Sequence, residues 1–142
     1  MAFREKIAWL TLAGFALAYG YYFFIAGPAV GFGEGRLAAI PSAFAPAAVA
    51  HAIVMAVGAG ALALAARRDA NTKPDERDRA IDRRATSIAY GLMMVGVIIV
   101  GVVAPFSEPA FKIINASLAL IVVCEAIRQV MIIVGYRRGF SG

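Results

Sequence analysis

Glu125 and Arg128 lie three residues apart inside an apolar block that runs from about Phe111 to Val134. On a helix that spacing puts both on one face. An ionisable side chain at bilayer depth costs about 2.5–3.5 kcal/mol on insertion scales, so it calls for a partner or a purpose. Two chemistries are open. In one, the pair is structural, with Arg128 reaching for the interface and Glu125 neutralised or bonded to a neighbouring helix. In the other, Glu125 is a proton or cation site. Counting along the chain puts Glu125 near the midplane, level with Thr11, Gly58, Gly60 and Tyr90, which makes Tyr90 and Thr11 its expected partners. His51 falls in another apolar block, level with Tyr19, Asn115 and Ser117. Its depth differs from that of Glu125 by roughly 12 Å at 1.5 Å per residue, so a direct pair is not expected. A lone histidine there is either a hydrogen-bonded packing element or a ligand. Glu125, Arg128, His51, Tyr90 and Asn115 together are the candidate intramembrane polar site.

Other chemistry finds no residues to carry it. Cys124, the single cysteine, is next to Glu125 without a base at catalytic spacing and reads as packing. No Cys/His spacing suits a metal, and no phosphate loop, nucleophile elbow or paired-carboxylate motif occurs. The expectation is a protein that is not an enzyme, with no catalytic residue, no metal and no cofactor.

The elements that position these residues follow from composition. The chain is 61% hydrophobic and 16% charged over 142 residues; a soluble domain carries about 25% charge. The apolar residues form long blocks with the charges between them, and crossing about 30 Å of hydrocarbon takes roughly 20 of them. Four blocks qualify, at about 7–26, 44–66, 86–104 and 111–134. All must be helical, because lipid offers nothing to pair with an open backbone. The first, crowded with Tyr21, Tyr22, Phe23 and Phe24, reads as a retained helix and not a cleaved signal. The fold class is therefore all-α: an integral membrane four-helix bundle, two hairpins in a single domain over 1–142.

The net charge of +5 is a topology signal and not a nucleic-acid one. Eleven basic residues fall in the two terminal segments and in the central connector, 67–85, whereas only Arg36 and Lys112 fall on the other side. That bias places both termini and the connector in the cytoplasm, in a cell inner membrane. Trp9 and Tyr136 suit an inner aromatic belt, and Tyr21, Tyr22, Phe44, Phe106 and Phe111 an outer one. Pro28 to Pro46, with Phe32, Leu37 and Ile40, reads as an outer loop on the membrane surface or a lid. Ala48, Ala52, Ala56 and Gly60 form a small-residue ridge suited to helix contact within the bundle or in a homo-oligomer, and Gly96 and Gly101 lighten the third helix.

Within the connector, Asn71 or Thr72 can cap a helix whose first turn holds Pro74, Asp75 and Glu76. No breaker follows before Gly91, so the third helix is expected to project from the membrane by about 15–18 Å. Asp75 and Arg79, four apart, are expected to pair. The projecting turns are either a solvated extension that touches anionic lipid or a docking surface made of Asp75, Glu76, Arg77, Asp78 and Arg79.

The run Asp75-Glu76-Arg77-Asp78-Arg79, followed by Ile81 and Arg83-Arg84 before an apolar helix, resembles a motif in small prokaryotic four-helix membrane proteins of unknown function. The resemblance covers about 30 residues of connector and third helix. Some of those proteins appear beside small helix-turn-helix regulators, so it implies a signalling or regulatory role and no catalytic residue. The sequence reading is thus a regulatory, sensory or complex-forming membrane component whose partners are the bilayer, a cytoplasmic regulatory protein and further copies of itself, with no direct nucleic-acid contact. The alternative is a proton- or cation-coupled transporter or channel subunit using Glu125. A small multidrug-type exporter fits less well, since its glutamate belongs in the first helix and its topology is unbiased.

Overall fold

The computed structural model describes residues 3–29, 37–66 and 73–138. Arg36 and Phe32 of the outer loop, and Arg67, Arg68, Asn71 and Thr72 of the connector, lie outside the described residues. Four helices are long and apolar enough to cross a membrane: α1 (Phe3–Ala29), α2 (Ala39–Ala65), α3 (Glu76–Phe106) and α4 (Ala110–Arg138). Among the described residues there is no strand. α2 begins at Ala39 and carries Pro46 inside it, so the stretch before Pro46 that reads as surface loop is already helix.

Proline shapes two helix ends in the same way. Its ring clashes with the carbonyl four residues back and it offers no N–H. α1 widens into a π turn over Tyr22–Ala26, just before Pro28, with the Gly27 N–H donating to the Tyr22 carbonyl. α3 does so over Ile98–Val103, just before Pro105, with the Ala104 N–H donating to the Ile99 carbonyl. Such turns let the chain run on as one helix where a strict α repeat would break.

α1 packs on α2, α3 on α4, and α1 on α4, so the two hairpins meet through α1 and α4 while α2 and α3 flank them. The large apolar side chains point outward, among them Leu17, Phe24, Val57, Leu64, Val95, Val102 and Phe106. A water-soluble protein does not expose that much apolar surface, whereas a bilayer covers it. Inside are small residues at helical spacing, Ala43 and Ala47 on α2 and Ala85 and Ala89 on α3. Without a hydrophobic effect between helices in lipid, such residues let backbones approach until dispersion holds them.

Within the chain, the ridge of Ala48, Ala52, Ala56 and Gly60 is not the packing face. Ala52, Ala56 and Gly60 are exposed, and a Cβ on Gly60 would meet open space. Gly58 packs instead, against Leu10, and Gly96 receives Leu120. A Cβ on Gly135 would come within 2.8 Å of Ile81 Cγ2. Ile81 is β-branched and buried, so it has no free rotamer into which to retreat. Gly135→Ala is expected to lower stability by about 1–2 kcal/mol through overpacking. Gly60→Ala should be neutral or mildly stabilising, since alanine is the better helix former. Thermal unfolding of the two purified variants in one detergent checks the contrast; equal midpoints would contradict this packing.

Candidate functional site

α3 opens on Asp75, whose side chain accepts the Asp78 N–H at 2.6 Å. Asp75 is therefore the cap, in place of Asn71 or Thr72, and Pro74 precedes the helix rather than starting it. With its carboxylate turned to the backbone, Asp75 does not make the expected pair with Arg79. Short acidic side chains satisfy exposed N–H groups at a helix start better than they hold a flexible arginine one turn on.

From this start, Asp78 and Asp82 follow at a spacing of four on the face of the buried Ile81, Ala85 and Ala89. That face turns both carboxylates toward α1 and α4. Asp78 accepts the Tyr136 hydroxyl at 2.5 Å and pairs with Arg4 at 3.3 Å. Asp82 pairs with Arg128 at 2.8 Å. Arg128 also reaches Glu125 at 3.2 Å, and its Nε donates to the Thr86 hydroxyl at 3.2 Å. Gln129, buried on α4, donates to the same Glu125 oxygen as Arg128. Beside this network, the buried Glu5 pairs with Arg137 at 3.3 Å, and Arg137 sits 5.3 Å over the Trp9 ring. Phe3, Arg138 and the start of α3 thus share one end of the molecule, the charged end.

The network walls a cleft of about 460 Å³. Arg4, Asp78, Asp82, Glu125, Arg128 and Tyr136 supply its polar side, and Phe3, Ile7, Ile81 and Ile132 its apolar side. A size of roughly 300–1,000 Å³ suits a small ligand. Glu125 and Arg128 also border a second groove of about 420 Å³ between α3 and α4, with Tyr90, Met93 and Cys124.

Several expected placements change. Gly135 faces Ile81 and Gly96 faces Leu120, a register that sets Glu125 beside Ala89 and Tyr90. Neither expected partner serves Glu125: the Thr11 hydroxyl donates to the Ile7 carbonyl at 2.9 Å, and Tyr90 is exposed on the outer face of α3. Gln129 one turn on, and Arg128, satisfy it locally.

His51 and Asn115 are not brought together. Asn115 accepts the Tyr22 hydroxyl at 2.7 Å and donates to the Phe111 carbonyl at 2.9 Å, while Ser117 donates to the Ile113 carbonyl. Tyr22, expected in the outer aromatic belt, is instead fully buried, with Ala43, Ala47 and Leu118 around it. His51 packs at a tilt against Phe15, centroids 4.6 Å apart, and against Tyr19 at 5.5 Å. Its Nδ1 is buried without a hydrogen-bond partner, close to Gly14. The far half thus packs around Tyr22, and it also holds apolar grooves of about 390 Å³ beside His51 and about 340 Å³ between α1 and α4.

Glu5, Asp82 and Gln129 belong to the site and do not stand out in the sequence. Their signal is helical phase: Asp82 shares the Ile81–Ala85 stripe, and Gln129 is four residues from Glu125. Among the described residues no group of three or more His, Cys, Asp or Glu is placed to hold a metal ion. The arrangement can bind charge, fix the first turns of α3 against α1 and α4, and hold a small amphiphile.

Four apolar helices with a charged end match, over residues 6–140, the family described as predicted membrane protein (DUF2178). The chain belongs to that family. Comparison with curated proteins and with solved structures finds no match. The DUF2178 match covers nearly the whole chain, and all of the cleft and the four helices except the first residues of α1, Phe3 and Arg4 among them, lie inside it.

Proposed function

We propose that this membrane protein is a non-enzymatic regulatory or sensory component that acts through the first turns of α3, exposed to the cytoplasm. One observation carries the reading: Asp78 and Asp82 of that segment are also the walls of the cleft and the counter-ions of Arg4 and Arg128. Whatever occupies the cleft therefore acts on the segment directly. The opposite side of these turns exposes Arg79, Arg83 and Glu76, with Arg77 exposed at its flank. Arg79 is five residues beyond Arg84, or about 7.5 Å further from the bilayer. At that height it meets a protein with an acidic surface more readily than lipid headgroups. The basic bias of this end supports its cytoplasmic placement. The resemblance of the Asp75–Arg79 motif to proteins found beside small regulators points the same way.

The test is cross-linking in native membranes. Arg79→Glu is expected to abolish a defined adduct with a second protein while the chain still inserts. Arg77 is the weaker choice, because its guanidinium also donates to the Tyr136 carbonyl at 3.4 Å. Unchanged adducts, or adducts of this chain with itself alone, would refute docking on this face.

Proton- or cation-coupled transport is the second reading, favoured by Glu125 lining an open cleft. It requires a path past Tyr22, Ala43 and Ala47 on the far side. Ion flux in liposomes that is lost in Glu125→Gln would move the function to transport.

A further inference from the structure

The cleft at the charged end has an unbalanced wall. Asp78, Asp82 and Glu125 contribute three carboxylates, and Arg4 and Arg128 two guanidiniums. Arg4 is engaged by Asp78, so Arg128 alone is shared by Asp82 and Glu125. Both bonds to Glu125 go to one of its oxygens, Oε1, and the Arg128 bond to Asp82 goes to Oδ1. Each carboxylate thus keeps acceptor capacity, since an ionised carboxylate takes about four hydrogen bonds. Opposite them, Phe3, Ile7, Ile81 and Ile132 form an apolar wall. The cleft extends from the level of Asp78 to that of Glu125.

We propose that this cleft binds an amphiphile bearing a primary ammonium group on an apolar stem, the ammonium on the free oxygens of Asp82 and Glu125 beside Arg128 and the stem along Ile81 and Ile132. The proposal rests on the reading of cleft and α3 start as one unit and names its ligand class. An anion would have to break existing ion pairs to reach the guanidiniums, and a neutral alcohol would leave the carboxylate surplus uncompensated. A cation can add to the free carboxylate oxygens while Arg128 keeps both its pairs, since three carboxylates against two guanidiniums leave one negative charge for it. A primary ammonium has three donors for the remaining acceptor positions. The same chemistry arises from two sources, a free alkylamine and the headgroup of an aminophospholipid.

The experiment is calorimetric titration of octylammonium into the full chain in phosphatidylcholine nanodiscs, with empty nanodiscs subtracted. Saturable one-site binding is expected, weakened about tenfold or more in Asp82→Asn and in Glu125→Gln by loss of a charge-assisted bond. Asp82 is more than half exposed, so Asp82→Asn tests the site without threatening the fold. Glu108→Gln, at the opposite end where Glu108 pairs with Lys112 at 2.7 Å, should bind as wild type does. Adding phosphatidylethanolamine to the discs separates the sources: competition assigns the headgroup, and unchanged affinity assigns the free amine. Equal binding of octanol, tighter binding of octyl phosphate, or no saturable binding overturns the proposal. If amine binding fails while the Arg79-dependent adduct persists, the ligand class is wrong and docking through α3 stands. Amine binding without any such adduct upholds the ligand class and refutes docking.

Discussion

Tyr22→Ala is expected to destabilise the helix assembly by about 3–4 kcal/mol, the lower part of the range for emptying a buried aromatic site. Tyr22 is fully buried at the junction of α1, α2 and α4. Its ring meets Phe23 edge-on at 4.8 Å and Phe44 at 5.3 Å, and its hydroxyl donates to Asn115. In lipid no water is expelled when helices meet, so the cost is lost dispersion, a cavity and an orphaned amide. Tyr22→Phe isolates the last term. It keeps the ring and removes one interhelical hydrogen bond, worth about 0.5–1.5 kcal/mol in a membrane. Unfolding by graded denaturing detergent, followed by circular dichroism, measures both. If the two variants unfold together, the ring is not what holds α1 to α2 and α4 at this level.

The second large effect is at Arg128. Replacing it with methionine keeps most of the side-chain volume and leaves Asp82 and Glu125 without their shared counter-ion. Breaking a fully buried pair costs about 3–5 kcal/mol. Here the side chains are about a third exposed for Arg128 and Glu125 and more so for Asp82, so screening lowers the expectation to about 1–3 kcal/mol. The sign of the rescue distinguishes this account from a simple packing loss. Glu125→Gln in the Arg128→Met background removes the stranded charge and should recover a large part of the stability, even though it removes a second native group. A further loss in the double variant would show that Arg128 acts through its packing alone.

These two residues hold different parts of the molecule: Tyr22 packs where α1, α2 and α4 meet, and Arg128 joins α3 to α4 at the cleft.

Depth along each helix was legible from the residues alone. Apolar blocks of membrane length, breakers at Pro28 and Pro105, and charges gathered between blocks define four helices because a bilayer imposes one dominant coordinate, the distance from its centre. Counting along that coordinate correctly set Tyr90 level with Glu125. It also put Arg128 and Glu125 on one face, where the fold joins them.

Rotation about each helix axis, and the order of the helices side by side, came only from the tertiary structure. Tyr90 has the right depth for Glu125 and the wrong azimuth, so it faces outward while Gln129 takes its place. Tyr22 reads as an interface anchor, yet it turns inward to Asn115 because Ala43 and Ala47 leave room for a ring. Gly58, Gly96 and Gly135, not the regular Ala48–Gly60 ridge, set the close contacts, since each faces a large side chain on its neighbour. Local composition specifies that a helix belongs in lipid. Which face it buries depends on the shapes of helices distant in sequence, and that complementarity has no periodic signature in any single one of them.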